Sequence, residues 1–229
     1  MAITFYDLCG RDAKRFSPYG WRTRMALAHK GLDYGLEPVK FTEKHKLEFS
    51  GQNLVPVIRD GDRVVNDSWA IAEYLEDSYP DRPSLFGDAA GRGMAKAING
   101  FVNTTVQPLV GPLIIADILD CVDPADRDYF ADSRRQRFGR PLDEVQADRD
   151  QKVEGFRKAL EPYRVVVAGQ PFVGGSAPTY ADYVLFGPLQ WARCTSAYGL
   201  VTADDPIHAW FERLLDLHGG VGRSEPAAA

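Results

Sequence analysis

The feature that most constrains the fold is an Asp-Gly turn set between two short β-rich runs: Pro56-Val57-Ile58-Arg59, then Asp60-Gly61-Asp62, then Arg63-Val64-Val65-Asn66. Asp-Gly supplies the positive φ that a tight hairpin needs, so the segment predicts two adjacent antiparallel strands. What flanks the hairpin sets the architecture. Upstream, Ile3-Thr4-Phe5-Tyr6 reads as a strand, residues 21–30 as a helix around Met25, Ala26 and Leu27 ended by Gly31, and residues 34–39 as a second strand. Residues 42–49 read as a short charged helix or loop. Downstream, Trp69, Ala72, Tyr74, Leu75 and Tyr79 form a helical stripe across 68–79. The order βαβ followed by ββα predicts a small mixed four-stranded sheet with helices packed on it, an α/β unit over 1–80.

Residues 81–90 belong to a stretch rich in turn formers, Pro80-Asp81-Arg82-Pro83-Ser84-Leu85-Phe86-Gly87, and read as a linker. From Gly91 onward no run has a convincing strand pattern. Helices are expected at about 91–120, 124–138, 150–168, 179–196 and 206–218, which makes 91–229 an all-α unit. The tail from Gly219 is dense in Gly, Ala and Ser and is expected to be poorly ordered unless it docks. A chain of 229 residues is long enough for two such domains, each with its own core.

Composition excludes several classes of function. The net charge of −5 and the interspersed acidic and basic residues leave no basic stripe for a polyanion, so no nucleic-acid partner is expected. No stretch approaches the roughly 18 uninterrupted apolar residues of a membrane span. Met1-Ala2-Ile3-Thr4 opens into a strand pattern without a signal-peptide layout, so a soluble, cytoplasmic protein with no membrane partner is expected. Cys9, Cys121 and Cys194 are odd in number, widely spaced and without a C-x-x-C pair. That argues against a disulfide framework, a metal site or dithiol chemistry, and predicts buried, reduced thiols.

Four short motifs carry candidate chemistry. Ser17-Pro18-Tyr19 places Ser17 as an N-cap and Pro18 as the first helical residue. Beyond capping, the Ser17 hydroxyl is placed to donate to a bound thiolate that the positive helix end also stabilises. Val55-Pro56 precedes a strand; it is either a trans strand-starting proline or a cis bond that turns the Val55 backbone outward to pair with a small peptide. Asp67-Ser68 opens the next helix, as a plain cap or as a site where Ser68 and backbone N–H groups hold a carboxylate and Asp67 meets the ammonium beside it, an arrangement suited to a γ-glutamyl end. Thr179 and Asp182 form a capping box of structural purpose, fixing where a helix enters the core.

The order of these motifs resembles the glutathione transferase superfamily across nearly the whole chain. More narrowly, the run Ser17 to Thr23, the segment Asp67 to Leu75, Tyr79-Pro80-Asp81-Arg82-Pro83 and Asp126-Arg127-Asp128-Tyr129 are similar to the bacterial β-aryl etherases and the fungal etherase-like (FuA-type) transferases. The bacterial etherases carry a longer extension than follows Gly222-Arg223 here. The resemblance implies a thioredoxin-like N-terminal domain and a C-terminal helical bundle, a homodimer, and glutathione as co-substrate. It further implies Ser17 as the thiol-activating hydroxyl, Val55 as backbone anchor at a cis Pro56, and Asp67 and Ser68 as γ-glutamyl ligands. Leu54 has no polar side chain to offer the tripeptide, so Lys44, His45, Gln52 and Asn53 are the candidates for its glycine carboxylate. The reaction implied is attack of the thiolate on an electrophilic carbon, in the etherase case beside a ketone with a phenolate leaving. Tyr19, Trp21, Phe101 and Trp191 are candidate walls for a hydrophobic aromatic electrophile. Two other readings keep parts of this picture: a non-catalytic ligand-binding or interaction protein of the same fold, and a glutathione-dependent thiol–disulfide oxidoreductase, which needs a low-pKa cysteine where this chain has Ser17.

Overall fold

The computed structural model describes residues 3–228; Met1 and Ala2 of the expected strand opening, and Ala229, lie outside the described residues. The first strand, β1 (Ile3–Leu8), buries Ile3 and Phe5 on one face. It runs parallel to β2 (Tyr34–Val39), with Phe5 opposite Leu36, and antiparallel to β3 (Val57–Asp60), with Phe5 opposite Ile58. The hairpin partner β4 (Arg63–Asn66) completes a four-stranded sheet of order β2-β1-β3-β4, and Gly61 takes the turn at φ +58. On one face Phe5 and Ile58 meet Trp21 and Met25 of α1 (Pro18–His29) and Ile71 and Leu75 of α2 (Ser68–Ser78) in one buried cluster. On the other face Val39 and Val57 are covered by Leu47 from a 3₁₀ segment, Lys44–Ser50. The expected mixed sheet with packed helices is the fold observed.

The helical unit is more broken than its pattern predicts. In place of one helix over 91–120 there are α3 (Ala89–Phe101), a π-helical turn (Val102–Val106) and α4 (Gln107–Ile114). Pro108 stands in the first turn of α4 and Pro112 inside it, and proline has no N–H to continue the ladder. After α5 (Arg127–Phe138), which stops at Gly139 with φ +72, comes a short helix not anticipated, α6 (Leu142–Gln146). The helix expected at 150–168 is likewise two, α7 (Arg149–Ala159) and α8 (Glu161–Gly169), because Pro162 opens the second.

The helix α9 (Tyr180–Thr195) is buried almost all round and packs along α1. The close approach depends on Gly187, where a Cβ would lie 2.4 Å from the Pro18 carbonyl oxygen. The capping box forms: Asp182 accepts from Thr179 N at 2.9 Å, and its other oxygen accepts from the Trp210 indole at 2.9 Å. Trp210 belongs to α10 (Pro206–Gly220), whose backbone departs from helical geometry at Leu217, His218 and Gly219. The tail beyond docks. Glu225 accepts from Arg15 N at 2.8 Å, Arg193 donates to the Glu225 carbonyl at 2.9 Å, and Ala228 N donates to the Arg193 carbonyl at 2.8 Å. Among the described residues no helix is long and apolar enough to cross a membrane.

Candidate active site

A cavity of about 540 Å³ opens where the N-terminus of α1 faces the helical unit. Ser17 caps α1, and its Oγ accepts from Gly20 N at 3.0 Å. A hydroxyl that accepts one bond still has its own proton to donate, and Ser17 lines the cavity with the first turn of a twelve-residue helix behind it. The fold needs Gly20 there: a Cβ would sit 2.0 Å from Asp7 Oδ1. Asp7 is buried and its carboxyl is pushed up by that burial, against the pull of Arg24 at 3.3 Å.

Cys9 lies eight residues before Ser17, just past β1, and does not line the cavity; its thiol donates to the Gly10 carbonyl and is pushed up by burial. Cys121 is also raised by burial, and Cys194 is pushed up to about 12 by the same cause. All three are free and buried, as their spacing predicts.

The second wall comes from the loop before β3. The Val55-Pro56 peptide is cis, and Asn53, Leu54 and Val55 line the cavity. Lys44 also lines it, its ammonium 4.9 Å from the Tyr129 ring centroid. Gln52 does not: its amide donates to the Leu54 carbonyl at 2.8 Å and accepts from Leu54 N at 2.5 Å, so it braces the loop that presents Leu54 and Val55. His45 is exposed, Pro56 is buried, and neither lines the cavity.

Asp67 and Ser68 stand outside this cavity, at the start of α2. Asp67 is exposed at φ +71 and its Oδ1 accepts from Trp69 N at 2.9 Å and Ala70 N at 3.1 Å. Ser68 is buried, with its carbonyl taken by the Tyr180 hydroxyl at 2.6 Å.

Of the four expected aromatic walls, Tyr19 and Trp191 line the cavity and Trp21 and Phe101 do not. Tyr19 and Trp21 are two residues apart on a helix and so face opposite sides. Trp21 is in the core, donating to the Arg15 carbonyl at 3.0 Å and meeting Phe186 edge-on. Phe101 ends α3 and packs on Tyr163; the π-helical turn after it brings Asn103 and Gln107 to the cavity instead.

Two features escape a local reading of the sequence. Asp126, fully buried, accepts from Phe41 N at 2.7 Å and from Thr42 N at 3.1 Å, tying the start of α5 to the chain after β2. Arg22 is fully buried, donating to the Val184 carbonyl at 3.1 Å and to Asn103 at 2.9 Å, with its guanidinium over the Tyr19 ring. The pattern of α1, which also carries Arg24 and His29, does not single out Arg22 as the buried one.

A thioredoxin-like α/β unit with a hydroxyl at its first helix start and a cis proline nearby, joined to a helical unit that shares a cavity with it, defines the class. Residues 16–78 match the profile of the glutathione S-transferase N-terminal domain and residues 93–214 that of the C-terminal domain. The chain therefore belongs to the glutathione S-transferase family. A zeta class glutathione S-transferase of Euphorbia esula is 32% identical over 116 residues, 48% of this chain and 52% of that one. The chain spans about half the length of the first curated relatives it matches. Among solved structures, glutathione transferase GSTFuA3 from Phanerochaete chrysosporium has a TM-score of 0.78 at 28% identity, covering 96% of this chain and 93% of that one. A glutathione S-transferase of Ceriporiopsis subvermispora, in complex with glutathione, has a TM-score of 0.85 at 21% identity, covering 96% and 98%, a likeness of fold.

Proposed function

We propose that this protein is a glutathione transferase that directs the thiolate of glutathione at an electrophilic carbon. The observation that carries the reading is Ser17: a capping hydroxyl with its proton unspent, on the cavity wall, at the positive end of α1. In this reading glutathione is the co-substrate, Val55 offers its backbone to the tripeptide, Lys44 meets the glycine carboxylate, and Asp67 with Ser68 holds the γ-glutamyl end at the N-terminus of α2. Tyr19 and Trp191 flank an aromatic electrophile. The finer form of the proposal is cleavage of β-aryl ethers beside a ketone: a C–S bond forms to glutathione, the C–O bond breaks, and the phenolate leaves and takes up a proton. Its support is the likeness to GSTFuA3 and the run from Ser17 to Thr23. A homodimer in the cytoplasm belongs to the same proposal.

The test is incubation with glutathione and either a fluorogenic β-aryl ether ketone or a simple aryl halide. Phenol release only when glutathione is present is the expected result. Conjugation of the halide without ether cleavage removes the finer proposal and leaves the transferase; neither reaction, with glutathione still bound, returns the protein to a non-catalytic binder. No observation favours the oxidoreductase reading, since Cys9 is held as a thiol by burial and lies outside the cavity.

A further inference from the structure

The cavity is lined by four cationic side chains, Lys40, Lys44, Arg134 and Arg137, and among the described residues by no carboxylate. In a chain with net charge −5 this one-sided lining stands against the overall balance. Lys40 is neutralised by Asp123 at 2.8 Å, whereas Lys44, Arg134 and Arg137 make no ion pair among the described residues. The two arginines are one helical turn apart on α5, so their side chains share a face.

Arg134 is half-buried, its guanidinium lying 4.7 Å from the Phe130 ring centroid and 5.7 Å from that of Phe41. Stacking on aromatic faces holds the fork in place; one corner, Nη1, donates to Ser133 Oγ at 3.1 Å, and the rest of the edge remains to bond an anion in its own plane. Burial, and after it the charge of Arg137, pulls the Arg134 guanidinium below its ordinary value. An anion between the two relieves that repulsion. Beside them stand Phe138 and Trp191, which both approach Gly111.

We infer that Arg134 and Arg137 select an aromatic acceptor that carries an anionic group, a carboxylate or sulfonate, with its ring against Phe138 and Trp191. The inference deepens the transferase reading and rests on it for the identity of the molecule as an acceptor. Glutathione also carries a carboxylate, for which Lys44, lining the cavity from the same α/β unit as Leu54 and Val55, is the partner in that reading; the arginines come from the helical unit.

Binding of a dye pair tests this without turnover. Anilinonaphthalene sulfonate is an aromatic anion, and phenylnaphthylamine has the same rings without the sulfonate. Fluorescence titration of the full chain is expected to give tighter binding of the anionic dye, retained with saturating glutathione present. The double variant R134Q/R137Q is expected to weaken the anionic dye by about tenfold and leave the neutral dye unchanged. Because Arg134 also packs on two rings, R137Q alone, at an exposed position, is read beside it and is expected to show part of the same loss. R135Q, on the next residue and outside the cavity, is the control and is expected to show none. Equal weakening of both dyes means lost packing and overturns the inference. So does displacement of the anionic dye by glutathione, which gives the arginines to the glycine carboxylate, and so does undiminished binding in the double variant. Failure of the ether and halide assays leaves the dye result standing, so the two readings fail separately.

Discussion

Ser17 does two things with one oxygen. It accepts from Gly20 N, which closes the first turn of α1, and it keeps a proton for whatever sits in the cavity. Removing the hydroxyl should separate these roles. For Ser17→Ala we expect a stability loss of about 1 kcal/mol from the missing cap. We also expect a bound glutathione thiol raised by about one pKa unit, which corresponds to about 1.4 kcal/mol and a conjugation rate lower by roughly tenfold. Thiolate absorbance across pH gives the first quantity and steady-state kinetics the second; an unchanged thiol titration returns Ser17 to the status of a cap. Ser17→Thr, which keeps the hydroxyl, should restore the titration. The cap at Ser17 was legible because it is written in adjacent residues; the cis state of Val55-Pro56 was not, since the pair by itself reads equally as a trans strand start. Trp21 and Phe101 were not, because whether an aromatic side chain reaches a cavity depends on which side of its helix the second unit covers. Gln52 illustrates the same limit on a loop: its amide is consumed by the backbone of Leu54, two residues away.

At the scale of elements, helix starts were easier to read than helix continuity. Asp67 caps α2 as its position before Ser68 predicts, and the Thr179–Asp182 box caps α9. The long helix expected over 91–120 is interrupted by the π-helical turn Val102–Val106 just ahead of Pro108 and ends at Ile114, two residues past Pro112, because neither proline has an N–H to continue the ladder. The cap of α2 is also where the γ-glutamyl proposal can be separated from ordinary capping. Asp67→Ala should cost about 1 kcal/mol of stability as a lost cap. If the proposal holds, calorimetry should also show glutathione affinity weakened by the roughly 1.5–3 kcal/mol of a charge-assisted bond. Asp67→Asn, which still caps, should keep the stability and lose the affinity. Undiminished affinity in both variants leaves Asp67 as a cap alone.

Across the whole molecule, a chain of hydrogen bonds joins the two units on the side of α1 away from the sheet. The Tyr183 hydroxyl lies 2.6 Å from His29 Nδ1 and 2.8 Å from His218 Nε2, linking α1, α9 and the non-helical end of α10. Burial, and after it the nearby His218, pushes the His29 imidazole down to about 4, and burial lowers His218 as well. Lys30 adds to the depression, while Glu76 and the Ser84 backbone oppose it. The unfolded chain's imidazole titrates near 6.5, so between there and about 4 the unfolded state takes up a proton that the folded state refuses. Stability is therefore held above pH 6.5 and lost as pH falls toward 4. Urea denaturation at pH 7.5 and pH 5 should show a loss on the order of 1–3 kcal/mol, and His29→Gln should shrink it. An equal loss in the variant would assign the pH dependence to other groups. The contact that sets how the two units can be recombined is Asp126. Its carboxylate takes the Phe41 and Thr42 N–H groups directly, so the loop after β2 and the start of α5 are tied together although 84 positions of chain separate Thr42 from Asp126. A helical half exchanged at the linker from another protein keeps this joint only if it brings an acceptor to that point; otherwise the Phe41 and Thr42 N–H groups lose their partner at a seam far from where the chain was cut.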